Sequence, residues 1–202
     1  MITASLVVLM AADAWSAQQP MDLIAALEQE QIEAVFYGNG DQSVRGRIRR
    51  SPRGPSELYV PPGTQFWAQR EGRQGMTTLG YVPIDLRRRA TTYVTIPTAC
   101  TNLALNAPTG FDIMIPTRCP DARMEVLCMT IGRIWPARAV SQLAVWAVAN
   151  DPPWEEVRDY AQGHAAGDDE DARVAAAEVM RSQAAELLRA AGLDPAGFAM
   201  LW

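Results

Sequence analysis

The stretch Ser141-Gln142-Leu143-Ala144-Val145-Trp146-Ala147-Val148 divides this chain. It is the densest apolar run after the N-terminus, and one uncharged polar side chain, Gln142, sits inside it. Upstream, short runs rich in β-branched and aromatic residues alternate with Gly, Pro and Asn turn clusters, the pattern of antiparallel strands. Downstream, apolar residues recur at helical spacing. This order predicts an α+β fold: an antiparallel β-sandwich over about residues 32–97 and a C-terminal helical layer over about 121–202. Residues 18–202 are expected to form one domain, its β part at 18–120 and its helical part at 121–202.

In chain order the expected elements are a helix over 20–33, then strands over 32–37, 43–50, 57–60, 64–68, 76–85 and 90–96. Pro83 marks an edge or a bulge within the fifth of these strands. Residues 97–120 read as a long irregular connection, of a length that usually carries a function or a staple. Helices follow over 121–135 and 137–149, from residue 154, and over 168–191. Met124, Leu127, Cys128, Ile131, Ile134 and Trp135 make the buried face of the first. Trp15, Trp67 and Trp202 fall outside the periodic stripes and are candidate exposed contacts.

Apolar residues are 49% of the chain, enough for a substantial core. Every basic residue is arginine, and the net charge is 18 − 23 = −5. Residues 101–202 hold eight Arg against fourteen acids, which argues against nucleic acid or an anionic membrane as the partner of that half. Arg45, Arg47 and Arg49 run the other way. They are either an anion-binding patch or the solvent face of one strand, since they alternate with period two. At the N-terminus, Leu6 to Ala12 is a short apolar run, and Ala14-Trp15-Ser16-Ala17 offers small residues for cleavage. Residues 1–17 therefore read as a secretory signal remnant. The run is too short to span a bilayer. Export places the protein outside the cytoplasm, secreted or on the cell surface, where disulfides are permitted.

Chemistry-bearing residues are few. One histidine, His164, has neither a second His nor a Cys-x-x-Cys beside it, so no metal site is expected. No Gly-rich loop opens a helix, and no cofactor motif is found. Three cysteines leave one thiol over after any pairing. Cys128 lies on a buried helical stripe and is expected to be an inert thiol. Cys100 and Cys119 flank the long connection, and a disulfide between them would close about twenty residues and contribute roughly 3 kcal/mol.

Thr98-Ala99-Cys100-Thr101-Asn102 and Ser141-Gln142-Leu143-Ala144-Val145-Trp146 together resemble the motif pair of bacterial surface thioester domains. The wider order Pro61-Pro62-Gly63-Thr64, Gln74-Gly75-Met76, Ile96-Pro97 and Ala191-Gly192-Leu193-Asp194-Pro195 is similar to secreted bacterial domains of unassigned activity. The resemblance implies an extracytoplasmic adhesion or binding module that captures amines on a partner surface. Cys100 would be the thiol donor and Gln142 the acyl donor, with Trp146 and Asn102 in support. Ser141 stands where that family has Thr, and Ala99 where it has an aromatic. Such a thioester and a Cys100–Cys119 disulfide exclude each other. Gln142 shares a helical face with Trp146, so it equally suits a hydrogen bond to a carbonyl of the 97–120 connection. The residues also allow two alternatives. One is a disulfide-stapled structural module of an envelope assembly. The other is a hydrolase using Cys100 as nucleophile and His164 as base.

Overall fold

A computed structural model describes residues 19–202, so the expected signal remnant at 1–17, Trp15 included, lies outside the described residues. The elements are β1 (Met21–Asp22), α1 (Leu23–Glu28), β2 (Ile32–Gly38), β3 (Ser43–Arg50), β4 (Glu57–Val60), β5 (Gln65–Ala68), β6 (Met76–Thr78), β7 (Val82–Asp85), β8 (Thr91–Cys100) and β9 (Ile113–Thr117). Helices α2 (Ala122–Ile134), α3 (Arg138–Ala149), α4 (Trp154–His164) and α5 (Glu170–Ala190) follow. Two short 3-10 turns, Pro195–Gly197 and Ala199–Leu201, end the chain.

The fold is α+β, and its main sheet closes into a six-stranded antiparallel barrel in the order β2-β3-β8-β6-β5-β9 rather than two stacked sheets. Closure depends on β9, which pairs with β2 through Phe36↔Met114 and with β5 across residues 65–68. That strand lies in the stretch expected to be irregular. Ile113, Met114 and Ile115 alternate outward, inward and outward as a strand requires, but Pro116 disguises the pattern. With β9 in place the barrel has no free edge.

Phe36, Phe66, Met76, Met114, Val44, Ile48 and Ile96 fill the core of the barrel, and the two phenyl rings meet edge to face at 5.2 Å. Gly46 makes room for them, because a Cβ there would lie 2.5 Å from the Phe36 ring. The arginines alternate with this core. Arg45, Arg47 and Arg49 are on the exposed face of β3, and Arg49 Nε donates to its cross-strand neighbour Glu33 at 3.0 Å.

The expected strand over 76–85 is two strands in different sheets. Gly80, at φ +91°, turns the chain between β6 of the barrel and β7 of a small sheet ordered β1-β4-β7. Pro83 sits in β7, whose one partner in that sheet is β4, as an edge position allows. The expected first helix is shorter than its pattern. Asp22 caps α1 by accepting from Ala25 N–H at 2.9 Å, but Glu30 adopts a left-handed φ of 55° and Ile32 already belongs to β2.

Ten consecutive residues of α3, Ala139 to Val148, are buried, the signature of a helix enclosed on all sides. It lies between β8, α2, α4 and α5. The buried stripe of α2 runs from Met124 to Ile131 and stops there. Ile134 and Trp135 project into solvent because Trp135 ends the helix in a left-handed conformation, φ 51°. Helix α5 begins at the Asp169 cap and ends in a Schellman turn, with Gly192 at φ 76° and Leu193 N–H donating to Leu188 C=O.

Between β8 and β9 the loop is held by Asp112, which is 1% exposed. Its carboxylate accepts from Thr109 N–H at 2.7 Å and Thr109 O–H at 2.8 Å, and pairs with Arg73 at 3.3 Å. The Thr109 hydrogen bonds, assisted by Arg73 and Arg70, hold its pKa below the ordinary carboxylate value. A depressed pKa contributes stability that is present above the unfolded value, about 4, and is lost as pH falls through the folded one. Thermal unfolding followed below about pH 4 should show this loss in the wild type, and Asp112→Asn should flatten it. An unchanged pH slope in the variant would remove the assignment.

Candidate functional site

The site lies where α3 meets the end of β8. On one side, Pro97 and Ala99 of β8, and Thr101 just beyond it, are turned toward the β6 edge, as in the bonds Leu79 N–H to Pro97 C=O and Thr101 N–H to Gly75 C=O. Thr98 and Cys100 turn their backbone groups the other way, toward β3. That strand pairs no further than Ser43↔Pro97, and only Thr98 N–H still finds a carbonyl, that of Gln42. Three buried backbone groups are left for other partners: Thr98 C=O, Cys100 N–H and Cys100 C=O.

Helix α3 supplies them. Gln142 Oε1 accepts from Cys100 N–H at 2.9 Å, and Gln142 Nε2 donates to Cys100 C=O at 2.8 Å. The carboxamide thus completes the ladder as a missing strand would. One turn earlier, the Arg138 guanidinium donates to Thr98 C=O and to Asp41 C=O. One turn later, Trp146 packs edge to face on Tyr160 of α4 at 4.8 Å. Residues 138, 142 and 146 recur at i, i+4 and i+8, so one helical stripe lines the seam. Gln142 is 1% exposed and Cys100 2%.

The thiol of Cys100 points away from that pairing. Its Sγ lies 3.7 Å from Asp41 C=O and 3.8 Å from Met76 Sδ. Burial, reinforced by the Asp41 carboxylate and opposed by Arg138, pushes it up to about 12, so it is protonated at neutral pH. Burial likewise raises Tyr160 to about 12 and lowers Arg138. Arg138 Nε and Trp146 Nε1 have no hydrogen-bond partner there.

Cys100 and Gln142 are together, and Trp146 flanks them. Asn102 serves its own turn, accepting from Ala104 N–H at 3.0 Å. Cys119 is half-buried beside Gly63 and donates to Asp121 C=O at 3.1 Å, in surroundings separate from those of Cys100. The three thiols are free, and Cys128 is buried against Thr77 Oγ1 at 3.7 Å, raised to about 12 by burial. His164 is not in a loop. It is the last residue of α4, exposed, its Nδ1 at 2.8 Å from Tyr160 C=O and its ring against Tyr160. A buried protonated thiol and an exposed imidazole engaged elsewhere do not form a nucleophile–base pair. Among the described residues no three His, Cys, Asp or Glu side chains converge to hold a metal, and no helix is long and apolar enough to cross a membrane.

Arg138 and Asp41 were not singled out by sequence. Arg138 carries a usable signal, being four residues before Gln142 on the same face. Asp41 carries none, because its role comes from its backbone carbonyl.

No protein-family model matches the chain, and no curated protein or solved structure matches it significantly.

Proposed function

We propose that this chain is an exported, non-enzymatic binding or surface-interaction module in which Cys100 and Gln142 close an internal thioester for capture of amine-bearing partners. One observation carries the reading. The Gln142 carboxamide is held by the backbone of Cys100 at both its atoms, so its carbon is fixed beside the residue that bears the thiol. Cys100 N–H donates to the carbonyl oxygen, Oε1, in the sense that an oxyanion hole does. In the closing step Sγ bonds to Cδ, the Cδ–Nε2 bond breaks, and the thiol proton leaves with the nitrogen as ammonia. A partner amine then attacks Cδ and displaces Sγ, leaving an amide and a free thiol. No oxidant or reductant enters. Sγ now faces Asp41 and Met76, so rotation about Cα–Cβ precedes attack. The dry surroundings that raise the thiol pKa also keep water from a thioester once formed, and a partner amine reaches Cδ only when the seam between α3 and β8 opens.

The thiol's orientation favours a second reading, a structural module of an envelope assembly. In it the seam remains a hydrogen-bonded one, with or without a Cys100–Cys119 staple. Intact mass of protein purified under non-reducing conditions separates the two. Loss of one ammonia, absent from Cys100→Ser and Gln142→Ala and replaced by adduct formation with methylamine, is the expected result. Loss of two hydrogens means a disulfide, and an unshifted mass means neither bond. Either of these would overturn the thioester.

A further inference from the structure

We propose that the β2–β3 turn, residues 39–42, is the door to the Cys100–Gln142 seam, and that Arg138 is its latch. Its purpose rests on the thioester reading, since an amine must enter there, but the movement is a property of the turn and is measurable with or without that bond.

The thiol lies at one end of the barrel, where the first residue of β6, Met76, and the last of β8, Cys100, are cross-strand partners. Asp41 covers it there. The backbone carbonyl of Asp41 meets two groups, the Cys100 thiol at 3.7 Å and the Arg138 guanidinium. One oxygen thus holds the thiol turned away from Gln142 and also ties the turn to α3. Closing the thioester needs the thiol to rotate, and capture needs an amine to reach Cδ. Lifting the Asp41 carbonyl serves both, because it frees the thiol and uncovers it in one movement.

Burial decides which wall of the seam moves. Helix α3 is enclosed along ten residues, so displacing it would break close-packed core contacts. The turn stands outside that core. Gly40 and Gln42 are exposed, Asn39 and Asp41 are half-buried, and none of the four has an apolar side chain to anchor it. Besides Arg138, it is fastened by Gly40 N–H donating to Pro108 C=O at 2.9 Å and by Thr98 N–H donating to Gln42 C=O at 3.0 Å. Segments held by a few backbone bonds without apolar burial open at low free energy. Arg138 suits a latch that releases. It is half-buried, its Nε has no partner, and neither of its acceptors is a carboxylate. A guanidinium so placed regains water when the turn lifts, which offsets part of the cost of opening. Its second bond, to Thr98 C=O, keeps it in position to refasten.

The test is the modification rate of each cysteine in the folded full chain, followed by mass spectrometry of its peptides. In protein that has lost one ammonia, uptake of methylamine at Gln142 reports the door. In protein of full mass, after reduction with a phosphine, alkylation of Cys100 by iodoacetamide reports it. The starting mass alone decides the thioester, so the two ideas fail separately. When opening and closing outpace the reagent, the rate follows the open fraction. Arg138→Met should speed modification about tenfold or more, the effect of losing one charge-assisted hydrogen bond. Arg138→Lys, a point charge in place of a fork, should fall between wild type and methionine. Gly40→Ala should speed it several-fold without touching α3. An L side chain strains the closed turn at φ +76°, yet a Cβ there meets no other atom within 4 Å. Cys128, fully buried under α2, reports opening of the whole fold, and its alkylation should stay at the wild-type rate in all three variants. An unchanged rate at the seam in Gly40→Ala, or Cys128 accelerated as much as the seam, would overturn the door. An unchanged rate in Arg138→Met would overturn the latch.

Discussion

In protein whose Cys100 and Gln142 are not covalently joined, replacing Gln142 with alanine is expected to lower the thermal unfolding midpoint by roughly 6–12 °C. The side chain satisfies two backbone groups of Cys100, at 2.9 and 2.8 Å, in a seam that water does not reach. Orphaning a buried donor or acceptor costs about 1–3 kcal/mol each, and partial relaxation brings the pair to about 3 kcal/mol. For a domain of this size each kcal/mol moves the midpoint by roughly 2–4 °C. Gln142→Met separates the hydrogen bonds from the packing, since it keeps volume and apolar contact but offers no donor. It should lose nearly as much as alanine. Gln142→Glu adds a sign. Its carboxylate accepts from Cys100 N–H but opposes Cys100 C=O, so its folded pKa is raised and its neutral form is the one that fits. A raised carboxyl pKa costs stability above the unfolded value and returns it on acidification. The glutamate variant should therefore sit closer to wild type in mild acid than at neutral pH. A midpoint within a degree of wild type for both alanine and methionine would remove the view of Gln142 as a substitute strand.

Gly132→Ala should destabilise, by about 2 kcal/mol, against the direction that helix propensity sets. Gly132 lies inside α2, where alanine is ordinarily better by about 1 kcal/mol. Here a Cβ would stand 2.5 Å from Gly80 Cα, and a Cβ on Gly80 would stand 2.7 Å from Gly132 Cα. Helix α2 and the β6–β7 turn thus meet backbone to backbone, and the clash requires a rigid shift. Overpacking of this sort costs about 1–3 kcal/mol. Gly80→Ala carries a further burden, because its φ of +91° is strained for any L side chain. The double variant should cost less than the sum of the singles, since α2 has already moved after the first. Urea unfolding of the four proteins measures this directly. A Gly132→Ala protein more stable than wild type would mean that propensity, not contact, rules the position.

These two results rest on features of different legibility. Most element positions were readable. The alternation of Arg45, Arg47 and Arg49 with Val44, Gly46 and Ile48 announced a half-exposed strand. The unbroken apolar run around Gln142 announced a buried helix. Both signals are local, because side-chain period is set by backbone geometry within a few residues. Strand β9 was missed for the converse reason. Pro116 spoils the local pattern, and it is pairing with β2 and β5, strands some fifty to eighty residues away, that makes those residues a strand. The same holds for the barrel, since alternation says which face is buried and not which edges meet.

The Cys100–Gln142 seam divides along this line. The chain alone marked the two residues as a pair by their motif surroundings, and showed that a polar side chain in so apolar a helix needs a buried partner. Only the tertiary structure decided what the pairing is made of. Strand β3 begins only at Ser43, opposite Pro97, while β8 continues to Cys100, and α3 then lies along the exposed backbone. That is why the carboxamide meets the backbone of Cys100 while the thiol turns to Asp41 and Met76. A backbone edge left unpaired by strand lengths is a property of register and not of composition, so it becomes visible only when the strands are laid side by side.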